Sequence, residues 1–250
     1  MAYIIAMAGK GGTGKTTVAA LIIRAIKEKK LGSLLAIDAD PNSNLGEILG
    51  ASPGESVGKI LDDICANPDK IPAGMPKDRF IEYQVQSALY EGEGFDILSM
   101  GKPEGPGCYC YVNNVLRGVM EKLIKDYDYI VIDNEAGLEH LSRRTSRYAD
   151  ALVVVSDPSS VGLKSARRIN ELAKQLKFEV KKSFLLVNRF NKKIEEGKVK
   201  EIGLDYLGSL PLDPGMEELS LNGEPIFNLR AEAPVIKALN SLGEKIWQRN

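Results

Sequence analysis

Residues 9 to 17 read Gly-Lys-Gly-Gly-Thr-Gly-Lys-Thr-Thr. The stretch follows an apolar run, Tyr3 to Ala8, and precedes a helical pattern that begins at Thr16. Glycines in such a loop let successive backbone N–H groups turn inward around phosphates, at the positive end of the following helix. The order of strand, glycine loop, Lys-Thr and helix therefore predicts a P-loop that binds a nucleoside triphosphate.

The side chains of this loop have distinct expected roles. Lys15 is expected to reach the β- and γ-phosphates, and the Thr16 hydroxyl is expected to bind Mg²⁺. A second magnesium residue is predicted at Asp133, which ends the apolar run Tyr129 to Asp133 and would hold the ion through water. The rest of the predicted phosphate cradle consists of Gly11, Gly12, Thr13, Gly14 and Thr17.

The remainder of the chain alternates short apolar runs with helical patterns. Runs as continuously apolar as Ala151 to Val155 are typical of parallel strands that are buried on both faces between helix layers. Predicted strands are Tyr3 to Ala8, Ser33 to Asp38, Phe95 to Ser99, Tyr129 to Asp133, Ala151 to Ser156, Ser183 to Val187 and Tyr206 to Ser209. Apolar residues at three- and four-residue spacing predict helices over Thr16 to Lys30, Val57 to Ala66, Asn113 to Lys125, Ser159 to Leu176 and Val235 to Gln248.

These elements predict one doubly wound α/β domain over residues 1–250, with a mostly parallel sheet of about seven strands and helices on both faces. Residues 53–94 contain several prolines and are interpreted as an irregular insertion between strands. The composition agrees with a globular domain, because 44% of the 250 residues are hydrophobic.

Charge and apolar segments exclude several classes of protein. Lys and Arg total 33 against 34 for Asp and Glu, a net charge of −1, so nothing suggests a surface built for nucleic acid or anionic lipid. The first apolar run is too short for a secretion signal or a membrane span. We therefore expect a cytoplasmic protein without nucleic-acid or membrane partners.

A second lysine in the loop, Lys10, makes the motif similar to that of the deviant Walker A ATPases, which include the Min and Par proteins. In that family this lysine crosses a two-fold interface to the nucleotide of the partner chain, which implies an ATP-dependent homodimer. The resemblance also implies that Asp40, in Ala36-Ile-Asp-Ala-Asp-Pro41, orients the attacking water, and that Asp38 supports the water shell of Mg²⁺. Capping of the next helix by Asp40 is the alternative.

Two further loops resemble the adenine-contacting loops of the same ATPases. One is Val187-Asn-Arg189 after a predicted strand, in which Asn188 would contact the base edge. The other is Leu210-Pro-Leu-Asp213 after the last predicted strand, in which Pro211, Leu212 and Asp213 would surround the base. A guanine-reading Asn-Lys-x-Asp motif stands at neither loop, so ATP is the expected nucleotide.

The cysteines allow more than one interpretation. Cys108 and Cys110 stand one residue apart in a Gly-Pro-Gly loop, where they could be metal ligands, a redox pair or small packed residues. In an extended segment their sulfurs would project to one face, and a nearby helix N-terminus would favour the thiolate form. Cys65, in the helix predicted over Val57 to Ala66, is expected to be buried, and His140 is left out of the metal site.

The cysteine spacing, together with Glu135 in place of the proline common after the Walker B acid, resembles the nickel-insertion accessory ATPases of carbon monoxide dehydrogenase and acetyl-CoA synthase. Such a protein would use ATP, Mg²⁺ and Ni²⁺ or Zn²⁺, and its client would be one of those nickel enzymes. Two loops joined in a dimer would supply four thiolates, which suit nickel or zinc. Alternatives are a Min- or Par-like positioning ATPase and an iron–sulfur electron-transfer ATPase.

Overall fold

The fold is built on one twisted sheet. The computed structural model describes residues 2–101, 110–135, 148–192 and 194–249. Within them eight strands pair in the order β3-β4-β2-β5-β1-β6-β7-β8, and only β3 runs antiparallel to its neighbour. The strands are β1 Tyr3–Gly9, β2 Leu34–Ala39, β3 Tyr90–Gly92, β4 Phe95–Ser99, β5 Tyr129–Asn134, β6 Tyr148–Ser156, β7 Glu179–Val187 and β8 Asp205–Ser209.

Helices connect these strands and cover both faces of the sheet. They are α1 Lys15–Glu28, α2 Leu45–Ile48, α3 Val57–Ala66, α4 Lys77–Ser87, α5 Cys110–Leu123, α6 Ser160–Gln175, α7 Glu196–Lys200, α8 Pro214–Asn222 and α9 Pro234–Trp247. Helices α1 and α9 pack on one face, where alternate strand residues such as Ala36 and Val131 join their core. Helices α3 to α6 pack on the other face, against residues such as Ile37 and Ile132.

The predicted fold class is confirmed, since the sheet is mostly parallel and has helices on both faces. All seven predicted strands are present, and the eighth, β3, forms the antiparallel edge. The segment interpreted as irregular contains α3, α4 and β3, so most of it has regular structure. Helix α5 begins at Cys110 rather than at Asn113.

Two statements about the surface follow from the helices. Cys65 is exposed, so the prediction that it is buried is wrong. Cys65 lies in the last turn of α3, one residue before the helix ends at Ala66, and the described core residues of α3 end at Ile64. In the described part of the chain, no helix is both long enough and apolar enough to cross a membrane.

Candidate nucleotide and metal site

The P-loop lies between the end of β1 at Gly9 and the start of α1 at Lys15. Two of its glycines are required by the backbone and by neighbouring atoms. Gly14 has φ +86°, and a Cβ atom there would overlap the Asn188 side-chain amide. Gly9 has φ +153°, and a Cβ atom there would overlap the Val155 carbonyl. Both positions exclude side chains, which keeps the loop backbone close to the ends of β6 and β7.

The two lysines of the loop point to different environments. Lys15 is buried, and its Nζ lies 3.4 Å from the Lys10 carbonyl oxygen, which also accepts a 2.9 Å hydrogen bond from the Thr13 hydroxyl. This long hydrogen bond is a weak partner for a buried ammonium group, so a phosphate beside Lys15 would stabilise it further. The Lys10 side chain is exposed, so it is accessible to a second molecule. The structure thus separates an internal lysine from an external one.

Two carboxylates meet beside the start of α1. Asp38 and Asp133 are both completely buried, and they are directly paired in the parallel register of β2 and β5. Residues two positions before them, Ala36 and Val131, belong to the core that α1 completes. Because side chains i and i+2 lie on the same face of a strand, both carboxylates are on the α1 side of the sheet, where Lys15 and Thr16 begin the helix.

Their protonation reflects this burial. Burial raises the pKa of Asp133 to about 7, and the charge of Asp38 adds to the rise, whereas Thr16 and Lys15 oppose it. The Thr16 hydroxyl lies close enough to lower the pKa of Asp133. It does not form a hydrogen bond of normal geometry, because neither Asp133 oxygen has a hydrogen-bond partner among the described residues. Burial also raises the pKa of Asp38 to about 6, although the backbone N–H groups of Leu45 and Asp40 lower it.

These residues fit a magnesium ion bound with nucleotide. The two Asp133 carboxylate oxygens, which have no hydrogen-bond partner within the described ranges, make an all-oxygen donor set with the Asp38 carboxylate in register and the Thr16 hydroxyl. Mg²⁺ usually takes one or two carboxylates together with waters and substrate phosphates, so a larger cluster of protein ligands is not needed. An ion here would remove the repulsion between Asp38 and Asp133 and lower both pKa values.

Asp40 is half-buried and follows β2 directly. Its Oδ1 accepts hydrogen bonds from the Asn42 backbone N–H at 2.9 Å and from Asn42 Nδ2 at 3.0 Å. The Leu45 backbone N–H, at the first residue of α2, donates instead to Asp38 Oδ2 at 2.9 Å. The start of α2 is therefore held by Asp38, and Asp40 orders the turn that precedes it.

The two loops predicted to contact adenine occupy the ends of β7 and β8. Asn188 is buried, and its Nδ2 donates to the Thr13 carbonyl at 3.0 Å, so it connects the loop after β7 to the P-loop. Asp213 is also buried, and its carboxylate accepts from the backbone N–H groups of Gly215, Met216 and Val235. It joins the starts of α8 and α9 and shapes the loop that contains Pro211 and the exposed Leu212.

The predicted cysteine site falls mostly beyond the described part of the chain. Cys108 lies outside the described residues, as do the Cys110 side chain and His140. Cys110 is the first residue of α5, so the extended conformation expected for the pair does not continue past it. Glu135 follows β5 and is exposed.

Sequence reasoning missed two buried polar residues beside the carboxylates. Asn134, next to Asp133, donates from Nδ2 to the Met7 carbonyl at 2.7 Å and joins the ends of β5 and β1. Ser99 ends β4 in register with Asp38, and its buried hydroxyl has no partner among the described residues. A polar residue at the end of an apolar strand was the available signal for both.

Comparison with known proteins gives a family match over most of the chain. Residues 4–226 match the model of the CobQ/CobB/MinD/ParA nucleotide binding domain. An uncharacterised ATP-binding protein of Methanocaldococcus jannaschii is 43% identical over 248 residues, covering 97% of this chain and 98% of that protein.

Two further similarities bear on fold and function. The carbon monoxide dehydrogenase accessory protein CooC of Rhodospirillum rubrum is 28% identical over 245 residues, covering 90% of this chain and 89% of that protein. The solved structure of the septum site-determining protein MinD of Pyrococcus horikoshii with Mg-ADP is similar at a TM-score of 0.71 and 23% identity, covering 99% of this chain and 97% of that one. The second similarity supports the same fold.

Proposed function

Since the chain belongs to the CobQ/CobB/MinD/ParA family of nucleotide-binding ATPases, we propose that it is an ATP-dependent nickel chaperone for carbon monoxide dehydrogenase or acetyl-CoA synthase. ATP binding would join two copies, and Cys108 and Cys110 of each copy would hold one metal ion across the interface. Support comes from the cysteine spacing and from the similarity over about nine-tenths of the chain to a carbon monoxide dehydrogenase accessory protein.

One structural observation carries the link between ATP and the cysteines. The segment that contains them leaves the sheet after β4 and returns through α5, which begins at Cys110 and leads to β5 and Asp133. At its other end, the Met100 backbone N–H donates to the Asp38 carbonyl at 2.7 Å. One end of the segment is thus next to a residue hydrogen-bonded to the Asp38 backbone, and the other end continues through α5 towards the strand that bears Asp133; both carboxylates are proposed magnesium ligands.

The ATPase residues have proposed roles in this cycle. Lys15 and the P-loop backbone would bind the phosphates, and Lys10 would reach the nucleotide of the second copy. Asp40 would orient the attacking water, while Thr16, Asp38 and Asp133 would hold Mg²⁺ directly or through water. Asn188 and the loop from Pro211 to Asp213 would surround the base.

The metal site can be tested by nickel titration with ATP, ADP or no nucleotide, with dimerisation followed in parallel by light scattering. We expect the wild type to bind about one nickel per dimer with ATP, and Cys108→Ser with Cys110→Ser to lose tight binding while still dimerising. Cys65→Ser is the matched control, because Cys65 is exposed on α3 and should not contribute. Tight nickel binding by the double variant would exclude the site.

The alternative of a membrane-positioning ATPase has less structural support. A membrane anchor would have required the apolar side of α9 to be available. Val235, Ile236, Leu239, Ile246 and Trp247 are instead buried in the core with α1. The iron–sulfur alternative is distinguished by colour, because anaerobically purified protein with a bridging cluster would be brown.

A further inference from the structure

A row of three polar side chains crosses the sheet at the carboxyl ends of its strands. Ser99 on β4 is paired in register with Asp38 on β2, which is paired with Asp133 on β5. Ile97, two residues before Ser99, belongs to the same core as α1. Ser99 therefore projects to the same face as the two carboxylates, with about 4.8 Å between neighbouring strands.

The Ser99 hydroxyl is incompletely satisfied. The residue is 4% exposed, and its Oγ has no hydrogen-bond partner among the described residues. An unpaired buried hydroxyl destabilises the folded protein, so a hydrogen-bond partner in the working protein would stabilise it. The adjacent Asp38 carboxylate already accepts from the backbone N–H groups of Asp40 and Leu45, and two carboxylate oxygens retain further lone pairs.

We propose that Ser99 is a positioning residue for ATP hydrolysis, whose hydroxyl holds a water bound to Asp38 and so keeps the outer shell of the magnesium ion in place. The Ser99 hydroxyl is suited to this role because its position is fixed by the pairing of β4 with β2 and by the hydrogen bonds of the next residue, Met100. Met100 donates to the Asp38 carbonyl at 2.7 Å and accepts from the Gly58 backbone N–H at 2.8 Å. The hydroxyl is thus presented from rigid backbone rather than from a loop.

Ser156 provides a matched control. It also ends a strand, is 1% exposed and carries a buried hydroxyl. That hydroxyl donates to the Asp157 carbonyl at 2.8 Å, and the preceding alternate residue, Val154, belongs to the opposite core. Loss of the Ser156 hydroxyl therefore perturbs a strand end without touching the face of the carboxylates.

The experiment measures divalent-ion binding directly, with Mn²⁺ as the probe in the full-length ADP complex, by the loss of the free-ion signal in electron paramagnetic resonance. Ser99→Ala should weaken Mn²⁺ binding by about fivefold, the factor for a hydrogen bond of about 1 kcal/mol, and raise the Mg²⁺ concentration for half-maximal hydrolysis similarly. ADP affinity without the metal should be unchanged. Ser99→Cys, which keeps the shape of the side chain with a slightly larger atom but donates weakly, should show the same loss.

Two results would overturn the proposal. One is Mn²⁺ affinity in Ser99→Ala or Ser99→Cys equal to that of the wild type. The other is equal weakening in Ser156→Ala, which would assign the effect to general loosening of the strand ends. Neither outcome depends on nickel or on the cysteines, so the proposal is tested separately from the proposed chaperone function.

Discussion

Asp133 combines complete burial with the absence of hydrogen-bond partners among the described residues. Its pKa is raised from 3.8 to about 7, so between these values the folded protein binds more protons than the unfolded chain. The stability that the folded protein gains from holding this proton on Asp133 is fully present below pH 3.8 and is lost as the pH rises through 7. Asp38 acts in the same direction up to about pH 6.

We therefore predict that Asp133→Asn stabilises the nucleotide-free protein above pH 7 and has little effect near pH 4. A pKa difference of one between the folded and unfolded protein corresponds to about 1.4 kcal/mol, so the gain in melting temperature should be several degrees. The same variant should lose most magnesium-dependent hydrolysis. Thermal melts across this pH range check the first part, with the half-exposed Asp63→Asn as a control, because the lowered pKa of Asp63 allows no such gain. A variant no more stable than the wild type at pH 8 would contradict this explanation.

The P-loop is the element whose geometry depends most directly on glycine. Gly14 has a left-handed backbone, and the Asn188 amide occupies the space of a side chain. Gly14→Ala should reduce the free energy of unfolding by about 1–3 kcal/mol through backbone strain and displacement of Asn188. Urea denaturation of the nucleotide-free protein measures the loss.

Gly11→Ala is the control for this change, since a Cβ atom added at Gly11 would have no atom within 4 Å and the φ of this residue is not in the left-handed region. It should unfold at nearly the wild-type urea concentration. Equal destabilisation by both substitutions would show that the Asn188 contact is not the cause.

Elements with strong apolar patterns were predictable, and those defined by tertiary contacts were not. Strand β6 and helix α1 are marked by continuous or periodic apolar residues. Helix α4 is not predicted by the sequence pattern because it is mostly polar and because Pro76, one of the prolines that favour an irregular segment over residues 53–94, stands at its N-cap. The positions of Asp38 and Asp133 at strand ends could be predicted from the sequence, but the Asp38 contact with Leu45 needs the fold.

At the scale of the whole molecule, the exposed Lys10 side chain is available for contact with a second copy of the protein. We predict that Lys10→Ala abolishes ATP-dependent dimerisation and hydrolysis, because the interface would lose a cation at the phosphates of the second copy. ATP affinity should remain largely intact, since Lys15 and the loop backbone stay in place. Sedimentation and nucleotide titration measure the two effects separately.

Lys29→Ala is the corresponding control. Lys29 is also exposed but lies at the far end of α1, about 20 Å along the helix from the P-loop. It should dimerise and hydrolyse ATP as the wild type does. Full activity of Lys10→Ala would instead remove the argument for a shared active site.

The attachment of the cysteine segment to β4 and α5 has an evolutionary consequence. Strand β4 ends before this segment and α5 begins at its last residue, so residues 102–110, which include Cys108 and Cys110, could diverge without altering the strands that carry Asp38 and Asp133. The preference for a particular metal would then depend on this exchangeable segment, while the rest of the ATPase stays unchanged. A chimera that carries a cysteine-free segment from another family member should still hydrolyse ATP but no longer retain nickel, and a chimera without ATPase activity would contradict this modularity.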